Sequence, residues 1–168
     1  MYNKLIGILL ILVHIYFIEK KLLYRMFTLS DWSVFLLGLS FILLDKFKWL
    51  PPLAISLTIT SLLGKMLLLG KYNIKNTDDF ITHYLSTILG LLLFTYIRKK
   101  DYVINYKLFV LFFGIFFIVH HVYKLLRNEW VYRKIDLYTI NGNQKLILYI
   151  IMCFSIYYSL YHIKHKIE

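Results

Sequence analysis

LFVLFFGIFFIVHHVY, residues Leu108 to Tyr123, is the stretch whose reading decides the fold class. It carries no Asp, Glu, Lys or Arg and is bracketed by Lys107 and Lys124. A helix rises ~1.5 Å per residue, and a hydrocarbon core of ~30 Å takes ~20 residues to cross. Sixteen uncharged residues fall slightly short. The long stems of the flanking lysines, and Tyr106 and Tyr123 beside them, extend each end into the interface.

The same pattern recurs on both sides. Apolar segments run over Leu5–Ile18, Trp32–Leu44, about Leu53–Leu69, about Phe80–Ile97 and Leu146–Ile163, separated by clusters of charge. Of the 168 residues, 60% are hydrophobic and only 17% charged, with a mean hydropathy of +0.64. Ordinary soluble domains run at about 45–50% apolar and about 25% charged. Too little polar surface is left here for a water-facing shell. The chain is therefore expected to be all-α, a single polytopic transmembrane bundle over residues 1–168 that crosses six times. Five crossings result if Trp32–Leu44 does not span. The first segment has the charge and length of a signal peptide, but no small-x-small cleavage site follows, so it reads as a retained anchor. Pro51-Pro52 marks a tight turn between the second and third segments.

Lys and Arg outnumber Asp and Glu by 20 to 9. The cations sit in short loops rather than on one contiguous face, which points to anionic lipid headgroups and away from nucleic acid. Six crossings place nine cations on the side of the termini and ten on the other, with Lys65 inside the third segment. Loop counts therefore do not orient the chain; the compact Arg98-Lys99-Lys100 run favours cytoplasmic termini. Cys153 is the sole cysteine, so neither a disulfide framework nor a cysteine zinc site is available, and among Met152, Phe154 and Ile156 it reads as a small buried hydrophobe.

Ionisable groups in membrane segments are costly, about 2.5–3.5 kcal/mol for Lys or Asp at a helix centre. The candidates are His14, Lys65, Asp79, His83, His120, His121 and His162; in a six-crossing arrangement His14, Lys65, His83, His120 and His121 fall toward one leaflet, with His162 alone toward the other. Asp79 and His83 are four apart and share a helix face, where a carboxylate fixes an imidazole tautomer for a general base or a ligand. The structural alternative is a capping acid and an interfacial histidine. His120 and His121 diverge by about 100° on a helix, so one site cannot readily take both. The polar loop from Lys124 to Lys145 holds Glu129, Arg133, Asp136 and Asn141, a mixture suited to an ion-pair network or an anionic headgroup. Short metal-ligand spacings are absent, and no cofactor is expected.

Asp79-Phe80-Ile81-Thr82-His83-Tyr84, opening an apolar helix with Gly90, resembles the Asp-x-x-x-His-Phe element of the VanZ-like membrane proteins. Glu129, Arg133, Asp136 and Asn141-Gly142 follow the fifth segment in that family's order. The family's Asp-Glu-x-x-Gln reads Asn128-Glu129-Trp130-Val131-Tyr132 here. The YjdF-like membrane proteins carry a comparable Asp-x-x-x-His. The resemblance covers about Asp78 to Gly142 and implies a bacterial cell-envelope protein of the teicoplanin-resistance type. Taken with the one-leaflet clustering, it makes Arg133, Asp136, Asn141, Lys65, His120 and His121 binding candidates for an anionic lipid or lipid-linked precursor, while His83, Asp79 and Glu129 are the catalytic candidates if the chain is an enzyme. It supplies no reaction. A small non-catalytic transporter, immunity or assembly protein, and an intramembrane enzyme with a His/carboxylate site, are the competing readings.

Overall fold

The computed structural model describes residues 2–21, 28–69, 80–127 and 140–167, and these are all-helical apart from short connections. Among them run six helices: α1 (Tyr2–Lys21), α2 (Leu29–Leu43), α3 (Leu50–Gly64), α4 (Ser86–Tyr96), α5 (Tyr106–Arg127) and α6 (Ile140–Ile167). Each of the six apolar segments falls on one of them. A π-turn, Lys65–Leu69, prolongs α3, and another, Phe80–Leu85, leads into α4. Three stretches are long and apolar enough to cross a membrane: Leu50–Leu67, Tyr106–Arg127 and Ile140–Lys166. The apolar parts of α1, α2 and the 80–96 helix are shorter, at 10–17 residues.

Local chemistry sets the helix ends. Thr28 caps α2 by accepting the Asp31 N–H at 3.3 Å, and its hydroxyl donates to the Asp31 carboxylate. The turn before α3 lies at Leu44–Trp49, and Pro51 and Pro52 stand just beyond it in the first turn of the helix. No carbonyl inside the helix waits for their missing N–H groups there. Asn105 caps α5, its side-chain oxygen accepting the Leu108 N–H at 3.1 Å.

α3 is the hub. It packs on α2, α4 and α6, and twelve of its fifteen residues are buried. A helix apolar all round must be enclosed by others, and here Leu53, Ala54, Ile55 and Leu57 face different neighbours. One apolar cluster joins Leu10, Val34, Leu37, Phe41, Ala54, Ile55, Leu93 and Leu160; the other joins Leu53 and Leu57 to Phe109, Phe113, Phe116, Cys153 and Tyr157. By contrast α5 and α6 leave long apolar faces uncovered, including Val110, Ile118, Ile147 and Ile151.

Small residues set the crossings. A Cβ at Gly7 would stand 2.5 Å from the Gly38 carbonyl oxygen, and one at Gly38 would stand 2.9 Å from that of Gly7. α1 and α2 thus meet backbone to backbone, as small residues allow in lipid. Gly90 leaves room for Thr58 of α3.

The neighbouring helices pair antiparallel, which gives the bundle two distinct ends. At one, Val103 N–H donates to the Lys48 carbonyl at 3.3 Å and Lys48 pairs with Asp101 at 2.8 Å. Arg98 completes that ion cluster at 3.0 Å, and Lys99 Nζ donates to the His165 carbonyl of α6 at 2.9 Å. The α2–α3 turn, the α4–α5 connection and the last turn of α6 therefore converge. Lys48, hydrogen-bonded to it, holds the Asp101 carboxyl below its ordinary 3.8, and Arg98 adds to this while desolvation opposes it. A lowered carboxyl stabilises the fold above its unfolded value and loses that contribution as pH falls through the folded one. The melting temperature of Asp101→Asn should lie below wild type at neutral pH, and the gap should close on acidification below about pH 4.

Candidate functional site

The polar candidates resolve at the opposite end of the hub. Four hydroxyls on α3 are buried: Ser56, Thr58, Thr60 and Ser61. The first three donate to carbonyls of their own helix, Leu53, Ile55 and Ser56, at 2.6–2.9 Å. On the facing helix Ser86 donates to Thr82, while Thr87 reaches both the His83 carbonyl at 2.6 Å and the Thr58 carbonyl of α3 at 3.1 Å. Self-satisfied hydroxyls of this kind cost little in lipid.

Ser61 differs. Its hydroxyl lies 3.0 Å from His83 Nδ1, with Ser61 5% and His83 8% exposed. Among the described residues the hydroxyl has no second side-chain partner, so it is assigned as donor to the imidazole. This pair ties α3 to the start of α4. It also has the polarity of a hydroxyl held against a proton acceptor, the arrangement from which general-base chemistry proceeds.

Lys65 follows Ser61 by one turn and is half-buried. Both Lys65 and His83 lie in π-turns rather than in regular α-helix. Such turns shift the angular register of the side chains that follow and recur at functional sites. Asp31 of α2 joins this level of the bundle. It lies thirteen residues before Leu44 and Ser61 lies twelve after Trp49, and α2 packs against the Phe80–Leu85 turn as well as α3. Asp31 is 4% exposed, a carboxylate well inside the fold.

The other candidates are dispersed. His14 is buried on α1 with its ring 5.4 Å from Phe35 of α2. His120 is buried 4.9 Å from Phe116, whereas His121 turns outward onto Phe117 and its Nδ1 meets the Phe117 carbonyl at 3.0 Å. The two histidines diverge as their adjacency requires. Asn141 is exposed at the start of α6, and Gly142 beside it is buried. His162 is exposed at the other end of the bundle, 4.2 Å from the Tyr158 ring. Asp79, Glu129, Arg133 and Asp136 lie outside the described residues. Among the described residues no three His, Cys, Asp or Glu side chains come together as a metal-ligand set.

Ser61, and Asp31 at the same level of the bundle, escape a reading of the sequence. The signal for Asp31 is the Thr28-x-x-Asp31 spacing, which marks a capped helix start. For Ser61 no local signal exists, because its partner is 22 positions away. No family model, no curated protein and no solved structure matches the chain, so the likeness to VanZ-like proteins is neither supported nor opposed by comparison.

Proposed function

We propose that the chain is a multi-pass integral membrane protein of a bacterial cell envelope, crossing six times with both termini cytoplasmic. The polar site at the far end, centred on His83, takes an anionic lipid or lipid-linked precursor, in the manner implied by the VanZ-like resemblance. The observation that carries this reading is the buried Ser61–His83 hydrogen bond at the end of the hub helix, with Lys65 one turn beyond it. It sets an imidazole at the start of one apolar helix against the end of another that carries a lysine one turn on, and polar groups in such segments are by default candidates for function. The convergence of the α2–α3 turn, the α4–α5 connection and the end of α6 supports the alternating path.

The test is teicoplanin susceptibility of a sensitive bacterium expressing wild type, His83→Ala or Glu129→Gln at matched membrane levels. Resistance in wild type that both variants lose is the expected result. Well-inserted wild type that leaves susceptibility unchanged overturns the VanZ-like part and puts a small transporter, immunity or assembly protein in front. A second reading, an intramembrane enzyme, draws on the same hydroxyl-to-imidazole polarity. Covalent labelling of Ser61 by a fluorophosphonate, abolished in Ser61→Ala, would select it.

A further inference from the structure

The end of the bundle away from His83 carries a pattern that the proposed site does not use. Among the described residues, the cations at this end number nine: Lys46 and Lys48 in the α2–α3 turn, Arg98, Lys99 and Lys100 after α4, and Lys4, Lys107, Lys164 and Lys166 on helices. Only two described carboxylates, Asp45 and Asp101, stand against them, and Asp101 is already held by Lys48 and Arg98. Lys4, Lys46, Lys100, Lys107 and Lys166 are exposed, and no ion pair engages them among the described residues.

Their placement matters more than their number. α1, the α2–α3 turn, the α4–α5 connection, α5 and α6 each contribute one, so the charges, together the lysine ring, come from five elements at one end rather than from a single segment. A compact ligand would meet one or two of them. A flat anionic sheet meets all five. Tyr96, Tyr106 and Tyr158 are exposed on the helix flanks at the same end, the level at which amphipathic rings settle at a membrane interface.

We infer that this ring is a docking surface for anionic phospholipid headgroups of the leaflet facing the termini. The inference rests on the multi-pass reading and adds a named lipid class and named residues to it. Each lysine near such a surface favours the anionic lipid by about fivefold, and the effect decays within a Debye length of ~10 Å at 0.1 M salt. Five lysines on one rim therefore enrich the adjacent lipid shell in anionic headgroups.

Trp49 reports on this shell. It is half-buried at the start of α3 on the same rim, 6.1 Å from Phe47. With Trp32→Phe and Trp130→Phe in place, Trp49 is the sole tryptophan. The protein is reconstituted into phosphatidylcholine vesicles containing a minor fraction of brominated phosphatidylglycerol or, separately, of brominated phosphatidylcholine. The expected result is several-fold stronger association of the quenching phosphatidylglycerol, falling toward parity in high salt. A variant with Lys4, Lys46, Lys100, Lys107 and Lys166 changed to Gln should show parity at low salt. Equal quenching by the two lipids in the low-salt parent overturns the inference, and the salt series decides it even if the fivefold variant fails to fold. Alkaline carbonate extraction of the same vesicles keeps the two readings apart. Protein that stays in the vesicles yet shows no lipid preference sinks the ring alone, and protein released by carbonate sinks the multi-pass reading and the ring with it.

Discussion

Gly38→Leu should unfold the α1–α2 pair, while Gly114→Ala on α5 leaves the protein as stable as wild type or slightly more so. At Gly38 the nearest atom to a new Cβ is the Gly7 carbonyl oxygen at 2.9 Å, with Ile11 at the same distance. Backbone cannot rotate aside as a side chain does, so α1 must move bodily away from α2. Overpacking a well-packed contact costs typically 1–3 kcal/mol, and a backbone-to-backbone crossing belongs at the upper end. The displaced helix also uncovers Leu10, Val34, Leu37 and Phe41, which join in one core cluster. At Gly114 a Cβ meets nothing within 4 Å. Replacing a helical glycine by alanine in open space favours the helix by up to about 1 kcal/mol. Thermal unfolding in detergent, followed by size-exclusion fluorescence, separates the two outcomes. Equal stability of Gly38→Leu and wild type would show that α1 and α2 do not cross at these glycines.

The second large effect is expected at the Ser61–His83 pair. Ser61→Ala removes the hydroxyl partner of His83 Nδ1, and losing a hydrogen bond to a buried polar group costs about 1–3 kcal/mol. His83→Ala removes the acceptor and opens a cavity as well, so its loss should be larger. In membrane proteins the coupling across such a bond averages ~0.6 kcal/mol and reaches ~1.7. The 3.0 Å separation and the burial of both partners place this pair above the average. A double-mutant cycle in denaturant should therefore return a coupling of about 1 kcal/mol. Additive losses, within ~0.3–0.5 kcal/mol, would mean that the two side chains do not interact. Functional loss that outruns the stability loss in Ser61→Ala marks the pair as part of a site; loss in proportion marks it as a clamp between helices.

The contrast between these two predictions mirrors what the sequence can and cannot express. Apolar runs between charge clusters are a local property, and all six reappear as helices. Helix starts are less legible. Asp31 looks like the charged border of the second segment, yet Thr28 and Asp31 form a cap that pulls α2 back to Leu29 and buries the carboxylate. Pro51-Pro52 signals a break correctly, but the prolines belong to α3 because only the first turn of a helix can spare their N–H groups. His83 stands out as an ionisable group in an apolar segment. Ser61 does not, since hydroxyls are ordinary in such helices and only the α3–α4 contact singles it out. The divergence of His120 and His121 follows from 3.6-residue geometry and needs no tertiary information.

On the proposed path the helices alternate across a bilayer, with the termini, the α2–α3 turn and the α4–α5 connection on one side and the His83 end on the other. Cys153 is fully buried, so it gives little background to an impermeant thiol reagent. Single cysteines at Lys46, Lys100 and Lys166, and separately at Arg127, are exposed positions that report the two ends. Labelling of Arg127→Cys from outside intact cells, with the other three reacting only after the membrane is opened, is the predicted result. Labelling of Lys100→Cys and Arg127→Cys from the same side would contradict the alternating bundle and, with it, the placement of the His83 site at a face of its own.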